Sequence, residues 1–402
     1  MSNRWLGAII SKTPPTITAP VDGEGGSASG AWSTASQANY QALGTWPKPF
    51  IDRYLWTWGQ GADGKLGLGN ITNYSSPKQV GALTTWSGVS GGDNHNTVTK
   101  TDGTLWTWGL GDDGRLGLGN TTAYSSPKQI GALTTWSKVS SGNSFTIATK
   151  TDGTLWTWGS NTQGQLGLGN TTDYSSPKQV GALTTWKNIT AGDNFTVSTK
   201  TDGTLWTWGN GTFGALGLGN ITHYSSPKQV GALTTWLTVA ARYAFTVSTK
   251  TDGTLWSWGR NSLGQLGLGN TTYYSSPKQV GALTSWLNVA CGSSFTIATK
   301  TDGTLWTWGQ NATGQLGLGN TTAYSSPKQV GALTTWSKIA GRSLFTVATK
   351  TDGTLWVWGW NATGQLGLGN ITNYSSPKQI GALTTWTTIS CGQRFTIALK
   401  TT

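Results

Sequence analysis

A reaction centre needs acid–base groups, a nucleophile or a metal cage held within reach of one another. In this chain of 402 residues the side chains that could supply one are few and scattered. The sole glutamate, Glu24, lies in a leader rich in Pro, Gly, Ser and Thr, and the two histidines, His95 and His223, fall in unrelated positions. Cys291 and Cys391 stand one hundred residues apart in the same local context, and no Cys/His spacing for a metal is present. Asp112-Asp113-Gly114 reads as a polar turn in preference to a weak cation site. The recurrent Gly-x-Leu-Gly-Leu-Gly-Asn lacks the strand, glycine loop and helix that a phosphate cradle requires. The sequence therefore argues for a protein that is not an enzyme and needs no cofactor or metal.

What remains is chemistry of recognition. Large aromatic, apolar and cationic groups stand at positions where the surrounding text otherwise repeats: Trp360, Phe213, Tyr243, Arg242, Arg260, Leu110, Arg342, Arg394, Leu263 and His95. Trp, Tyr and Arg dominate binding hot spots, and loops on a rigid scaffold carry binding, so these ten are the candidate ligand-binding residues. The competing reading is that loop columns drift because nothing constrains them. Large apolar groups at exposed turns favour recognition.

The scaffold is legible because almost the same fifty residues are written seven times between residues 51 and 400. One copy cannot bury its own apolar face and must stack on others, so this period signals a solenoid, propeller or array. In Leu155-Trp156-Thr157-Trp158 two indoles fall on one strand face, and Phe195 with Val197 repeats the alternation. The segment Lys200-Thr201-Asp202-Gly203-Thr204 reads as a hairpin turn. Residues 176–180, with an edge-tolerated proline, and 186–190 supply two further strands. Four strands and no helical period make a propeller blade. Cysteines two blades apart exceed the ~7 Å Cα limit for a disulfide and are read as free thiols.

Gly-Gln-Leu-Gly-Leu-Gly-Asn after a Trp-Gly pair, then Pro, then Trp and a strand ending before Asp-Gly, resembles the regulator of chromosome condensation repeat family. That resemblance covers residues 51–402 and implies an all-β, seven-bladed propeller. Its animal members act as nucleotide exchange factors for a small GTPase and bind chromatin. Members with exchange activity carry an insertion that wedges into the GTPase. Here the copies are of equal length, which puts exchange in doubt.

Ring closure follows from where the copies are cut. The interior hairpins read KTDGTLW, whereas the last copy stops at Lys400-Thr401-Thr402 and the first begins Ile51-Asp52-Arg53-Tyr54. Strands near residues 386–400 are thus expected to pair with those of 54–81 in a composite seventh blade. In an up-and-down blade both variable loop groups share one face, and the Asp-Gly turns occupy the other.

Fourteen framework lysines against six turn aspartates leave +8 of the net +12, so most of the basicity is a by-product of copying. No run of five like charges exists, so a nucleic-acid arm is not indicated; the alternative to two rings of solvated lysines is an anionic partner, an acidic polysaccharide or, less expected, nucleic acid. No stretch reaches transmembrane length and no signal peptide is read, so Asn70-Ile71-Thr72 and its equivalents are taken as turn chemistry rather than glycosylation sites. Residues 1–50 read as an extended arm with a short helix over 35–43. The segment Ser-Ala-Ser-Gly-Ala-Trp-Ser-Thr-Ala-Ser-Gln-Ala-Asn-Tyr, with the following Gly-Thr-Trp-Pro, resembles N-terminal regions of marine tailed-phage structural proteins. That resemblance implies a virion-associated propeller, present in several copies, held to other virion proteins by residues 1–50 and binding a host-surface glycan or protein. The alternative is a cytoplasmic or nuclear propeller that binds chromatin or regulates a small GTPase.

Overall fold

In the blade that begins at Trp186, strand A is Trp186–Ala191, B is Phe195–Lys200, C is Leu205–Gly209 and D is Tyr224–Gln229, joined antiparallel in that order. The computed structural model describes residues 52–402, so the readings of an arm and a helix in residues 1–50 lie outside the described residues. Five further four-stranded sheets repeat this order, and a seventh combines Trp386–Cys391 and Phe395–Thr401 with Arg53–Gly59 and Tyr74–Gln79. Blades 1 to 6 are counted from the A strand at Trp86, and blade 7 is the composite. The fold is the seven-bladed all-β propeller. Strand D begins two residues earlier than the apolar pattern suggests, because Tyr224 pairs with Gly209 across a bulge before Lys228 and Gln229 pair with Thr207 and Trp206.

The A strands line the axis, where Val89, Val139, Ile189 and Val239 help to bound a channel of about 440 Å³. Each D strand is an outer edge, which is where Pro227 costs no ladder bond. Neighbouring blades share an apolar seam. Leu155 and Val180 of blade 2 pack on Trp186 and Trp208 of blade 3, and Trp208 meets Trp186 edge-on at 5.7 Å. Aromatic pairs in this geometry add about 0.5–1.5 kcal/mol beyond their buried area.

The loop from C to D leaves its own blade and latches onto the next. Its Gln165 carbonyl accepts from Trp208 Nε1 at 3.0 Å and from Thr196 Oγ1 at 2.8 Å, and Gly169 N donates to Ser225 O at 2.8 Å. Gly167 must be glycine: its φ is +74°, and a Cβ there would stand 2.6 Å from Trp208 Nε1. The turn from B to C closes with Gly203 N to Lys200 O at 3.0 Å. Asp202 Oδ1 accepts from Thr204 N and Oγ1, and Thr204 Oγ1 in turn accepts from Trp206 Nε1. Asn70 also acts as a turn residue, its Oδ1 accepting from Thr72 N at 3.0 Å.

Candidate functional site

The A-to-B and C-to-D loops meet on one face. Arg115 Nη1 of blade 1 reaches Asn143 O of blade 2 at 3.5 Å, and Thr313 Oγ1 of blade 5 reaches Leu344 O of blade 6 at 3.2 Å. The C-to-D loops fall into two designs, set by one residue pair. Where Asn stands at 161, 261, 311 or 361, Gln stands four residues on. The Asn side chain then bridges the loop, as in Asn161 Nδ2 to Asn170 O and Leu166 N to Asn161 Oδ1, while Gln165 Oε1 caps Gln163 N. Where Gly stands at 61, 111 or 211, the partner is Lys65, Arg115 or Ala215, and the loop tightens into a 3-10 turn. The second residue of that turn is forced to φ near +60°. The position after the Gly-Asn turn also has work in four copies. Asn73, Asp173, His223 and Asn373 each accept a loop backbone N–H, which gives His223 a structural task.

Asp63 and Asp113 tolerate the left-handed backbone; Phe213 occupies it at φ 61° and Tyr243, in an A-to-B loop, at φ 49°. Bulky aromatics held there cost about 1–3 kcal/mol each and mark functional sites more often than chance. The two come together with residues of blade 4. Phe213 meets Tyr273 edge-on at 5.3 Å and 89°, and the Arg260 guanidinium lies 4.7 Å from the Tyr243 ring and 5.5 Å from the Phe213 ring. Phe213, Tyr243, Tyr273 and Leu263 are exposed and Arg260 is half-buried. Blade 3 permits this because Ala215 stands where Lys65 and Arg115 send a long cation back over their own loops. A smaller pair lies at blades 6 and 7, where exposed Arg394 covers half-buried Trp360 at 5.3 Å. Leu110 is half-buried and joins neither cluster.

Three of the ten sequence candidates are not on the surface. His95 stands where other copies have Phe and is wholly buried, its Nε2 3.0 Å from Thr146 Oγ1. Burial, aided by Arg115, holds its pKa well below the usual imidazole range, so it is a neutral core group. Arg242 and Arg342 stand where the other A-to-B loops have Gly, and both turn inward across the axis. Asp93 Oδ1 accepts from Arg242 Nη2 at 2.7 Å and from Arg342 Nε at 2.8 Å, and Arg242 Nη1 pairs with Asp193 at 2.5 Å. Arg342 also donates to the carbonyls of Gly91, Ser141 and Gly142. Burial alone would raise the Asp93 carboxyl, but the two guanidinium groups hold it far below the usual range. These four charges tie blades 1, 3, 4 and 6 together and are not free to meet a ligand. Sequence alone places long cations on the surface, since it does not show that two acids lie across the axis from them.

Lys65 is a further buried cation, 1% exposed, with Nζ bonded to Gln60 Oε1 at 2.8 Å and Asn94 Oδ1 at 2.9 Å. Burial lowers its pKa from 10.5 to about 8. Between those values the unfolded chain binds more protons than the folded one, so this group makes stability rise with pH across that window. Lys65→Gln, the residue of four other copies, should flatten the rise and stabilise the fold at pH 7 by about 1–3 kcal/mol, as read from urea midpoints across pH 7–10.5. The thiols of Cys291 and Cys391 are free and buried, and burial pushes both upward in pKa. Among the described residues no group of three His, Cys, Asp or Glu could hold a metal, and no helix is long and apolar enough to cross a membrane.

Solved structures share this architecture. Human WBSCR16 superposes with a TM-score of 0.78 at 20% identity, covering 87% of this chain and 98% of that one. Prp20p from Saccharomyces cerevisiae, described with its binding to Gsp1p and histones, gives 0.76 at 19%, covering 87% and 91%. The yeast RCC1 (Prp20) bound to Kap60 gives 0.78 at 18%, covering 100% and 96%. At these identities the likeness carries the fold. None of the curated proteins matches the sequence. The RCC1-like domain family matches residues 54–399, and the chain belongs to that family.

Proposed function

We propose that the chain is a non-catalytic binding propeller whose loop face docks a protein partner. The observation that carries this is the Phe213–Tyr243–Arg260–Tyr273 platform. Two aromatics are held there in a backbone state they disfavour, and a cation stacks between them rather than pairing with an acid. Such groups offer large rigid contact area at small entropic cost. A small GTPase comes first among partners, because a yeast relative of the same fold is described as binding Gsp1p. The equal copy lengths favour binding without accelerated nucleotide release. Histones are the second partner class on the same ground. These relatives favour the intracellular alternative over the virion reading, which rests on residues 1–50 and finds no support in them.

The test is biolayer interferometry of the full chain against a purified small GTPase, nucleotide-free and GTP-loaded, and against core histones. A Phe213→Ala/Tyr243→Ala/Arg260→Ala variant is expected to weaken capture by at least about 100-fold, since hot-spot truncations cost about 2 kcal/mol or more each. Undiminished capture by that variant removes the platform from the site. A separate single variant exposes the strain: Phe213→Gly should leave the melting midpoint unchanged or raise it, by up to about 1 kcal/mol in stability, while weakening capture.

A further inference from the structure

Beside the constant Asp-Gly turns, the junctions between blades hold a second kind of cavity. Where blade 2 meets blade 3 its walls are Gly167–Gly169 and Leu183 on one side and Trp186, Lys200 and Trp206 on the other, with a volume of about 420 Å³. Cavities of about 400 and 410 Å³ at the junctions of blades 4 and 5 and of blades 5 and 6 share the glycine, leucine, tryptophan and proline walls, while Lys300 and Lys350 stand behind the indoles rather than in the lining. The lining is the constant part of the repeat, not the variable part. Its leucine, in the Gly-Ala-Leu-Thr run, is about half exposed in all seven copies. Trp206 is half-buried, leaving part of an indole open to the cavity.

The lysine at the cavity wall is the informative group. Lys200 is 7% exposed, and its ammonium lies 3.6 Å from the Trp206 ring and 4.9 Å from the Trp186 ring. Among the described residues no carbonyl, carboxylate or hydroxyl accepts from its Nζ. Asp202 in the adjoining turn is already engaged by Thr204. Six copies, at Lys100, Lys150, Lys200, Lys250, Lys300 and Lys350, hold the ammonium 3.6–3.9 Å from the corresponding indole. An ammonium carries three donors, and indole faces attract its charge without accepting all of them.

We propose that these six junctions are equivalent binding sites for carboxylated sugar units, so that the rim of the disc binds an acidic polysaccharide. The open edge of Trp206, Leu183 and Pro227 form an apolar floor for the C–H face of a pyranose. The Lys200 ammonium takes the carboxylate in a charge-assisted bond, and Gln179 and Ser226 stand at the wall for hydroxyls. The volume lies within the 300–1,000 Å³ range of small-ligand sites. A polymer with one charge per unit matches a chain whose net +12 comes mostly from copied lysines. The repetition supplies avidity of about 100-fold or more without any single tight site. The seventh junction is built differently. Lys400 lies 5.5 Å from Trp56, no Asp-Gly turn precedes that indole, and Trp56 Nε1 has no hydrogen-bond partner.

The probes are a galacturonate trisaccharide, a neutral galactose trisaccharide, acetate and a polyglutamate peptide, each titrated into the full chain with calorimetry and tryptophan fluorescence. The uronate should bind with a stoichiometry of six and shift the indole emission, and polygalacturonate should bind at least 100-fold more tightly. Lys200→Met keeps the aliphatic stem and should lower the count from six to five with an unchanged melting midpoint. Equal binding of the neutral sugar, equal binding of polyglutamate or acetate, a stoichiometry near one, or a count unaltered by Lys200→Met each overturns the proposal.

Discussion

An Arg342→Ala variant is expected to lose about 3–5 kcal/mol of stability, the cost of stripping one partner from a buried ion cluster. The change removes the second cation from Asp93 and leaves the carbonyls of Gly91, Ser141 and Gly142 without their donor, all within the closed centre of the disc. Arg342→Lys should recover only part of the loss, since an ammonium cannot reproduce four bonds fanned from a planar fork. The cluster also has a pH signature. Asp93 is held below its unfolded pKa, so its contribution is complete above about pH 4 and is lost as pH falls through the unfolded value toward the folded one. Urea midpoints at pH 7 and pH 3 should differ more for the parent chain than for Arg342→Ala. A variant within about 0.5 kcal/mol of the parent at pH 7 would show that the cluster holds nothing together.

A chain ending at Thr384 is expected not to fold cooperatively at all. It lacks Trp386–Cys391 and Phe395–Thr401, and with them the buried Trp386, Phe395, Ile397 and Leu399. The strand Arg53–Gly59 then loses the partner that pairs with it along its whole length, from Arg53–Thr401 to Gly59–Phe395. Losing a buried Phe or Trp side chain alone costs about 3–5 kcal/mol, so two of them approach the 5–15 kcal/mol that stabilises a typical domain. An open array would behave otherwise, shedding one end unit and keeping the rest. Near-ultraviolet circular dichroism on heating separates the two outcomes, because the edge-on indoles of every blade report on packing. A sharp, parent-like transition would count against closure.

Much of the scaffold was written plainly. The Asp-Gly turn, the Trp pair and the Pro-Lys-Gln run fixed strand type, order and facing, because each depends on neighbours within ten residues or on an identical copy next door. The site was written less plainly. Phe213, Tyr243, Leu263 and Arg394 reached the surface as their columns suggested, whereas Arg242, Arg342 and His95 did not. Their burial depends on partners 49 to 249 residues away, such as Asp193 for Arg242, Thr146 for His95 and Asp93 for Arg342. Two signals for it were nonetheless present. His95 sits in a column otherwise filled by Phe, and the A-to-B loops contain two arginines in glycine columns and two aspartates beside them, a balance of charge that suits a shared interior. The coupling of Gly61 to Lys65 and Asn161 to Gln165 was equally visible and sorts the loops into their two designs. Tyr273 is not among the ten sequence candidates, yet it completes the platform.

The four charges on the axis bear on assembly as well as strength. Sectors with nearly interchangeable edges offer a folding chain many wrong neighbours, and offer two chains together the chance to trade sectors. Asp93, Asp193, Arg242 and Arg342 exist once each and match only when blades 1, 3, 4 and 6 take their proper seats. They give an otherwise anonymous circle a set of addresses, and a shuffled circle would bury cations with no acid to meet them.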